Sequence, residues 1–326
     1  MAEADVVVQD SIQTQSVDHA FLDLEAGRAR YDGEVLTIEV SGQWIHEERR
    51  LIALALGLPL EHVRIIQPAT GGAFGGREDI SIQIYLGLAA LKLKGKTVCL
   101  RYSRSESMIA RHKRHPIRID YKLGAKNDGT LVAAQVIVYV DKGAYASTGV
   151  AVMRKASSHA TGPYRVPNVW ADVVGVFTNK NPCGAMRGFG AAQMAIAYEG
   201  LIDRLASQLG MDKTELRLKN LIRSGDPVTT GQIVPQATVV ECFETVLKKI
   251  NWSRRNYDSP SPHLRRGYGV SAICFGLGYG DGFPDASRAL CKLTSDGIVE
   301  VYSGGVDVGQ GLVNMIAQIV AEEIGV

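Results

Sequence analysis

The sequence predicts an α+β (mixed α/β) architecture, and three observations carry that expectation. Short apolar runs rich in Val, Ile and Tyr are interleaved with helical stretches, without a tandem repeat. A chain of 326 residues is long enough for two domains with real cores. Its 35 glycines, well above the usual share of about 7%, gather in clusters, two of which lead directly into helical patterns.

In chain order, residues 34–40 (EVLTIEV), 62–68 (HVRIIQP), 97–102 (TVCLRY) and 130–140 (TLVAAQVIVYV) read as strands. Residues 46–59 form a helical pattern that stops at Gly57–Pro59, and residues 80–95 form a second, apolar nearly all round and so expected to be buried. A third helix, 191–210, closes on Gly210 as a C-terminal cap, and 211–222 follows at once. From Ser224 the texture turns polar: a helix around 241–250 precedes SRRNYDSPSPHLRRGYG, the best linker in the chain. Beyond it, 269–280, 288–305 and 313–326 read as strand, hairpin and helix. The expected division is a first domain over 1–223, a helix and linker over 224–263, and the start of a second domain over 264–326.

Composition narrows the function classes. A formal net charge of +2 with mixed signs makes no field that argues for nucleic acid. The basic stretch 101–118 lacks interleaved aromatics and reads as a solvated or subunit-facing surface. Five scattered cysteines without CxxC spell neither a zinc nor an iron–sulfur site and fit a reducing compartment. No apolar run reaches membrane length, and the N-terminus carries acids where a signal peptide carries Lys and Arg, so the expected location is the cytoplasm. His19 reads as a packed, hydrogen-bonded histidine.

Three loops stand out. GGAFGGRED (71–79) exposes bare backbone beside Phe74 and ends in two acids. Its N–H groups suit an anion or an oxo group, whereas Glu78 would repel a phosphate and suits a protonatable polar ligand. The plainer alternative is that Glu78 and Asp79 stabilise a helix N-terminus. NPCGAMRGFGAAQ (181–193) repeats the scheme with Arg187 and Phe189 among glycines, and GVDVGQGL (305–312) places Gln310 between two glycines at a helix start. A glutamine there can donate and accept, which suits a heterocycle edge or a phosphate ester.

GGAFGGRE, AMRGFGAAQ and GVDVGQGL, in this order and spacing, resemble the molybdopterin-binding subunit of the xanthine dehydrogenase and aldehyde oxidase family, the molybdenum hydroxylases. The resemblance runs from about residue 10 to 326, through DGTLVAAQVIVYVDKGAYAS, GPYRVPN and TELRLKN. It implies two molybdopterin-binding domains, the second truncated, because the family's subunit is more than twice as long and carries its general-base glutamate in later loops. The chain alone is then expected to be inactive and free of metal. A natural short subunit that binds pterin without catalysis is the alternative, and aldehyde oxidation is the alternative chemistry.

The resemblance implies that pterin sulfurs, not side chains, hold the molybdenum. Gly72, Ala73, Phe74 and Gly75 would border the cofactor, with the metal near Phe74 and the Arg187 backbone. Gly309, Gln310 and Gly311 would contact the pterin, in its cytosine dinucleotide form. Glu78 falls on the family position that hydrogen-bonds purine-type substrates, Phe189 on the ring edge-on to a flat substrate, and Tyr279 on the face-on ring. Lys155, with Arg154 beside it, replaces a substrate-binding arginine, and Val17 replaces a glutamine at an oxo ligand. Lysine is a point charge and not a planar fork. The implied reaction hydroxylates a purine or related N-heteroaromatic with water-derived oxygen, passing hydride to the Mo sulfido group. Electrons would leave through [2Fe-2S] and FAD on partner subunits or domains.

Overall fold

Apolar and polar residues alternate along the buried strand over Ile117–Ala125. In the computed structural model, which describes residues 1–259, 261–278 and 286–326, the first elements are β1 (Val6–Gln13), β2 (Ala26–Tyr31), β3 (Leu36–Val40), α1 (Ile45–Leu56), β4 (Val63–Ile66), α2 (Gln83–Lys92), β5 (Thr97–Arg101) and α3 (Arg104–Ala110). There follow β6 (Ile117–Ala125), β7 (Leu131–Asp141), α4 (Gly149–Ser158), β8 (Asn168–Val176), α5 (Ala191–Leu209) and α6 (Lys213–Asn220). The last are α7 (Val239–Lys249), β9 (Ala289–Leu293), β10 (Val299–Ser303) and α8 (Leu312–Ile324).

Two mixed four-stranded sheets result. One has the order β4-β3-β2-β5, parallel only between β3 and β4. The other has the order β1-β6-β7-β8, parallel only between β7 and β8. Along β6, Ile117, Ile119, Tyr121 and Leu123 are buried while Arg118 and Lys122 are exposed, the period of two that a half-buried strand requires. The helix α5 lays Met194, Ala197, Leu201, Ile202 and Leu205 over this sheet to form the larger core. Leu36, Ile38, Val40, Ile52, Val63, Ile82 and Leu86 make the smaller one.

Caps mark several helix boundaries. Gly57 and Gly210 end α1 and α5 in the left-handed conformation, each N–H returning to carbonyls of the last turn. The Asp212 side chain accepts from the N–H groups of Thr214 and Glu215 to start α6, and Ser103 with Glu106 forms a capping box on α3.

Three expectations change. The helix α2 is not buried all round, since Leu86, Gly87 and Ala90 face the core while Tyr85 and Leu88 are exposed; its apolar outer face is not a core face. No strand forms over 269–278. The stretch has β-type residues but pairs with no strand among the described residues, and within it only Ala272 is buried, against the larger core. The basic stretch 101–118 is only partly a surface, because Arg111 and His115 are buried. Phe243 on α7 also joins the larger core, so the polar segment after Ser224 is docked through its helix.

Helices α5 and α6 are joined by a buried charge cluster. Arg217, 1% exposed, meets Glu199 at 2.6 Å and Asp203 at 2.8 Å, and Glu199 also accepts from the Tyr164 hydroxyl. Removing the arginine leaves the largely buried Glu199 uncompensated, so Arg217→Ala is expected to cost about 3–5 kcal/mol. The shift in urea midpoint at constant slope measures it.

Candidate functional site

Between β4 and α2 the backbone turns sharply, with φ of +97° at Gly72, +53° at Phe74 and +97° at Gly75. Phe74 is strained there, on the order of 1–3 kcal/mol, and its ring is 47% exposed. Distant side chains hold the turn. The Asp23 carboxylate accepts from the Gly71 N–H, and Gln43 Oε1 accepts from the N–H groups of Gly75 (2.9 Å) and Arg77 (3.3 Å). Arg77 Nε donates to Gly72 O at 3.1 Å. The guanidinium groups of Arg77 and Arg111 lie 4.2 and 3.9 Å from the centre of the buried Phe21 ring. The Phe21 ring is thus in cation–π contact with both guanidinium groups.

The second loop precedes α5. His19 Nε2 donates to Ala185 O at 2.7 Å, which places that histidine as a packed, bonded residue. Arg187 N–H donates to Phe74 O at 3.0 Å, and Arg187 O accepts from Arg114 at 2.7 Å. Both backbone groups of Arg187 thus hold loops together. Phe189, like Phe74, has positive φ, +46°. The two loops touch backbone to backbone: a Cβ on Gly75 would stand 2.8 Å from the carbonyl of Ala185, so only glycine fits.

The third loop precedes α8 and reaches the first. Gly72 N–H donates to Val308 O at 3.1 Å and Gln67 Nε2 to Asp307 O at 3.0 Å. The Gln310 side chain folds its own loop, accepting from Val308 N–H at 2.7 Å and donating to Val306 O at 2.9 Å.

These loops line one cleft of about 1220 Å³. Of the residues singled out from sequence, Gly72, Ala73, Phe74, Gly75 and Glu78 reach its wall from the first loop, Arg187 and Phe189 from the second, Gly309 and Gln310 from the third, and Lys155 from α4. Arg154 is exposed and, like Gly311 and Val17, does not line it; Tyr279 lies outside the described residues. Sequence reading missed Phe21, Gln43 and Phe275, which also line it. A glutamine after Gly42 carries no local signal of a loop some thirty residues on.

The two acids part company. Asp79 accepts from Ser147 Oγ at 2.7 and 2.8 Å and lies 3.7 Å from His112 Nε2, while α2 begins only at Gln83 and has no acid in its first turn. The helix-stabilising alternative therefore fails for both: Asp79 anchors the loop on one side and Glu78 lies on the cleft wall.

A molybdopterin cofactor-binding domain model matches residues 1–221 and a second such model matches residues 245–326. The chain belongs to the molybdopterin-binding family. It is 42% identical over 249 residues to the nicotinate dehydrogenase large molybdopterin subunit of Eubacterium barkeri, covering 76% of this chain and 58% of that one. It is 32% identical to the xanthine dehydrogenase molybdenum-binding subunit of Escherichia coli O157:H7, covering 99% of this chain and 44% of that one. The aldehyde oxidoreductase structure from Desulfovibrio gigas superposes with a TM-score of 0.80 at 28% identity, over 92% of this chain and 33% of that one. The chain thus spans about half the length of these curated relatives. Its relatives are molybdenum-dependent oxidoreductases of the xanthine dehydrogenase and aldehyde oxidoreductase type.

The molybdopterin-binding chain has a cleft whose chemistry fits such a group. Gly72, Gly75, Gly188 and Gly309, with φ between +93° and +108°, leave its walls bare of side chains. Among the described residues no three His, Cys, Asp or Glu cluster to hold a metal.

Beneath Gln43, the fully buried Glu48 accepts from Gln83 Nε2 at 3.2 Å and packs against Gly42. Burial raises its pKa to about 7, against the Gln83 bond and the Arg77 charge. An acid raised on folding contributes stability that is complete below its unfolded value and lost as pH climbs through its folded one. The window is therefore pH 4.5 to about 7. Glu48→Gln, which cannot ionise, is expected to gain up to about 3 kcal/mol on the native chain between pH 4.5 and pH 8. Urea midpoints at the two pH values check the sign and size.

Proposed function

We propose that this chain provides much of the cofactor and substrate site of a molybdenum hydroxylase whose substrate is a flat N-heteroaromatic of the purine or nicotinate kind. The observation that carries the reading is the convergence of the three glycine loops on one cleft with Glu78 and Phe189 on its wall. The 42% identity to a nicotinate dehydrogenase subunit supports the ring class. The fold shared with an aldehyde oxidoreductase favours aldehydes as a second reading, but an aldehyde offers no ring nitrogen or lactam edge for a carboxylate at Glu78.

In this proposal Gly72, Ala73, Phe74, Gly75, Gly309, Gln310 and Gly311 hold the pterin, in its cytosine dinucleotide form, and Phe74 and Arg187 border the metal. When bound, the cofactor supplies a two-electron oxidation and oxygen taken from water. Glu78 orients the ring by its polar edge, and Phe189 packs against it, an aromatic contact of about 0.5–1.5 kcal/mol beyond area burial. The apolar walls given by Phe21, Phe74 and Phe275 exclude water and strengthen the Glu78 bond. In the same proposal [2Fe-2S] and FAD groups on partner subunits or domains take the electrons. Five cysteines, all unbonded, support a reducing, cytoplasmic location, and no helix among the described residues is long and apolar enough to cross a membrane. The domain division belongs to the same proposal, with the first molybdopterin-binding unit over 1–223 and the second from 264.

Glu78→Val in the assembled enzyme is expected to lower heteroaromatic turnover at least about tenfold relative to aldehyde turnover, the size of one lost buried hydrogen bond. Steady-state kinetics on both substrate types, with molybdenum content measured in parallel, decide the matter. Equal losses on both types remove Glu78 from substrate recognition, and turnover of aldehydes alone overturns the ring class.

Phe189→Ala is expected to raise KM for the heteroaromatic with molybdenum content unchanged. Loss of metal with a normal KM in the remaining holoenzyme makes the ring structural.

A further inference from the structure

Residues 264–278 belong to neither helix nor strand, yet they deliver Phe275 and Gly278 to the cleft wall. Two buried side chains one turn apart at the end of α4 meet them. Lys155 Nζ donates to Gly276 O and to Gly278 O, both at 2.6 Å, and lies 4.9 Å from the centre of the Phe275 ring. Gly276 N–H donates to His159 Nε2 at 2.9 Å. That bond leaves the ring proton on Nδ1, which faces Lys155 O at 2.9 Å, so the neutral tautomer is defined by its partners. Burial and the neighbouring Lys155 charge hold the His159 pKa below its usual value. The His159 and Phe275 rings lie 5.7 Å apart.

We infer that Lys155 and His159 are positioning residues that latch the Phe275–Gly278 segment to α4 and thereby set one wall of the substrate cleft. Lys155 then shapes the site through the segment it grips, its ammonium being given to two backbone carbonyls. The grip matters because the segment has no ladder of its own. Besides Val270 and Ala272, which pack in the larger core, and the Ala272 backbone, which hydrogen-bonds Glu199, this pair holds the end of the segment nearest the cleft. Phe275 is 51% exposed, so burial alone does not fix its ring. Gripping two carbonyls and accepting one N–H satisfies successive backbone groups in a stretch that would otherwise satisfy them with water.

The latch itself is independent of the proposed function; its effect on specificity rests on that reading. Hydrogen–deuterium exchange of the 326-residue chain tests the latch. In Lys155→Met and in His159→Phe, which keeps a ring but loses the acceptor, peptides covering 270–278 are expected to exchange at least about tenfold faster, from loss of one to two buried hydrogen bonds. Peptides from β6 and β7 should be unchanged, which shows that each variant is folded. Unchanged exchange at 270–278 in a folded variant overturns the latch. In the assembled enzyme the same variants should raise KM for the heteroaromatic about tenfold with kcat within a factor of about two, a split expected of lost ground-state binding geometry. The double variant should lose no more than the worse single one, because either loss opens the same segment. Additive losses, or a kcat effect confined to Lys155→Met, would mean that Lys155 touches the reacting substrate directly and would overturn the positioning role.

Discussion

Everything at the cleft depends on the approach of two backbones, Phe74–Gly75 and Ala185–Arg187. The Arg187 N–H donates to Phe74 O, and the space beside Gly75 is too small for a methyl group. This contact brings loops from opposite sheets together, and it carries two phenylalanines in left-handed backbone, Phe74 and Phe189. Such strain persists only where the surroundings over-determine it. Here Asp23, Gln43 and His19 pin the loops from elsewhere in the chain.

Charge buried behind the loops is the second constraint. Arg77, Arg111, Glu25 and Glu48 are all withdrawn from water, and each costs free energy unless its neighbours answer it. Phe21 answers through its ring, which lies against both guanidinium groups, while Asp18 pairs with Arg111 at 2.8 Å. Burial pushes the Glu48 carboxyl towards neutrality, against its hydrogen bond from Gln83 and the Arg77 charge. The cleft wall can be largely bare and apolar because the polar scaffold that shapes it lies one layer deeper.

The C-terminal part reaches the site by polar contacts more than by burial. The helix α8 has no buried residue, and Leu290 and Leu293 on β9 are exposed. Val308 and Asp307 meet the first loop through hydrogen bonds, and Gly276 meets Lys155 and His159. Few apolar contacts and several directional ones define position while contributing modest stability.

Local pattern alone determined the strands over 34–40, 62–68, 97–102 and 130–140, the helices ending at Gly57 and Gly210, and the three glycine loops. In each case the signal is a period or a residue with special backbone freedom, both readable within a few positions. The order of those loops was also enough to indicate the molybdopterin family. Residue chemistry by itself does not separate Glu78 from Asp79; beside the family resemblance that singled out Glu78, tertiary structure shows Ser147 taking Asp79. It likewise decided that Gln43 and Phe21 serve the first loop, that Lys155 grips a carbonyl pair, and that 269–278 finds no strand to join. A strand needs a partner and a buried polar group needs an answering one. Both are supplied by chain many residues away, where no local pattern points.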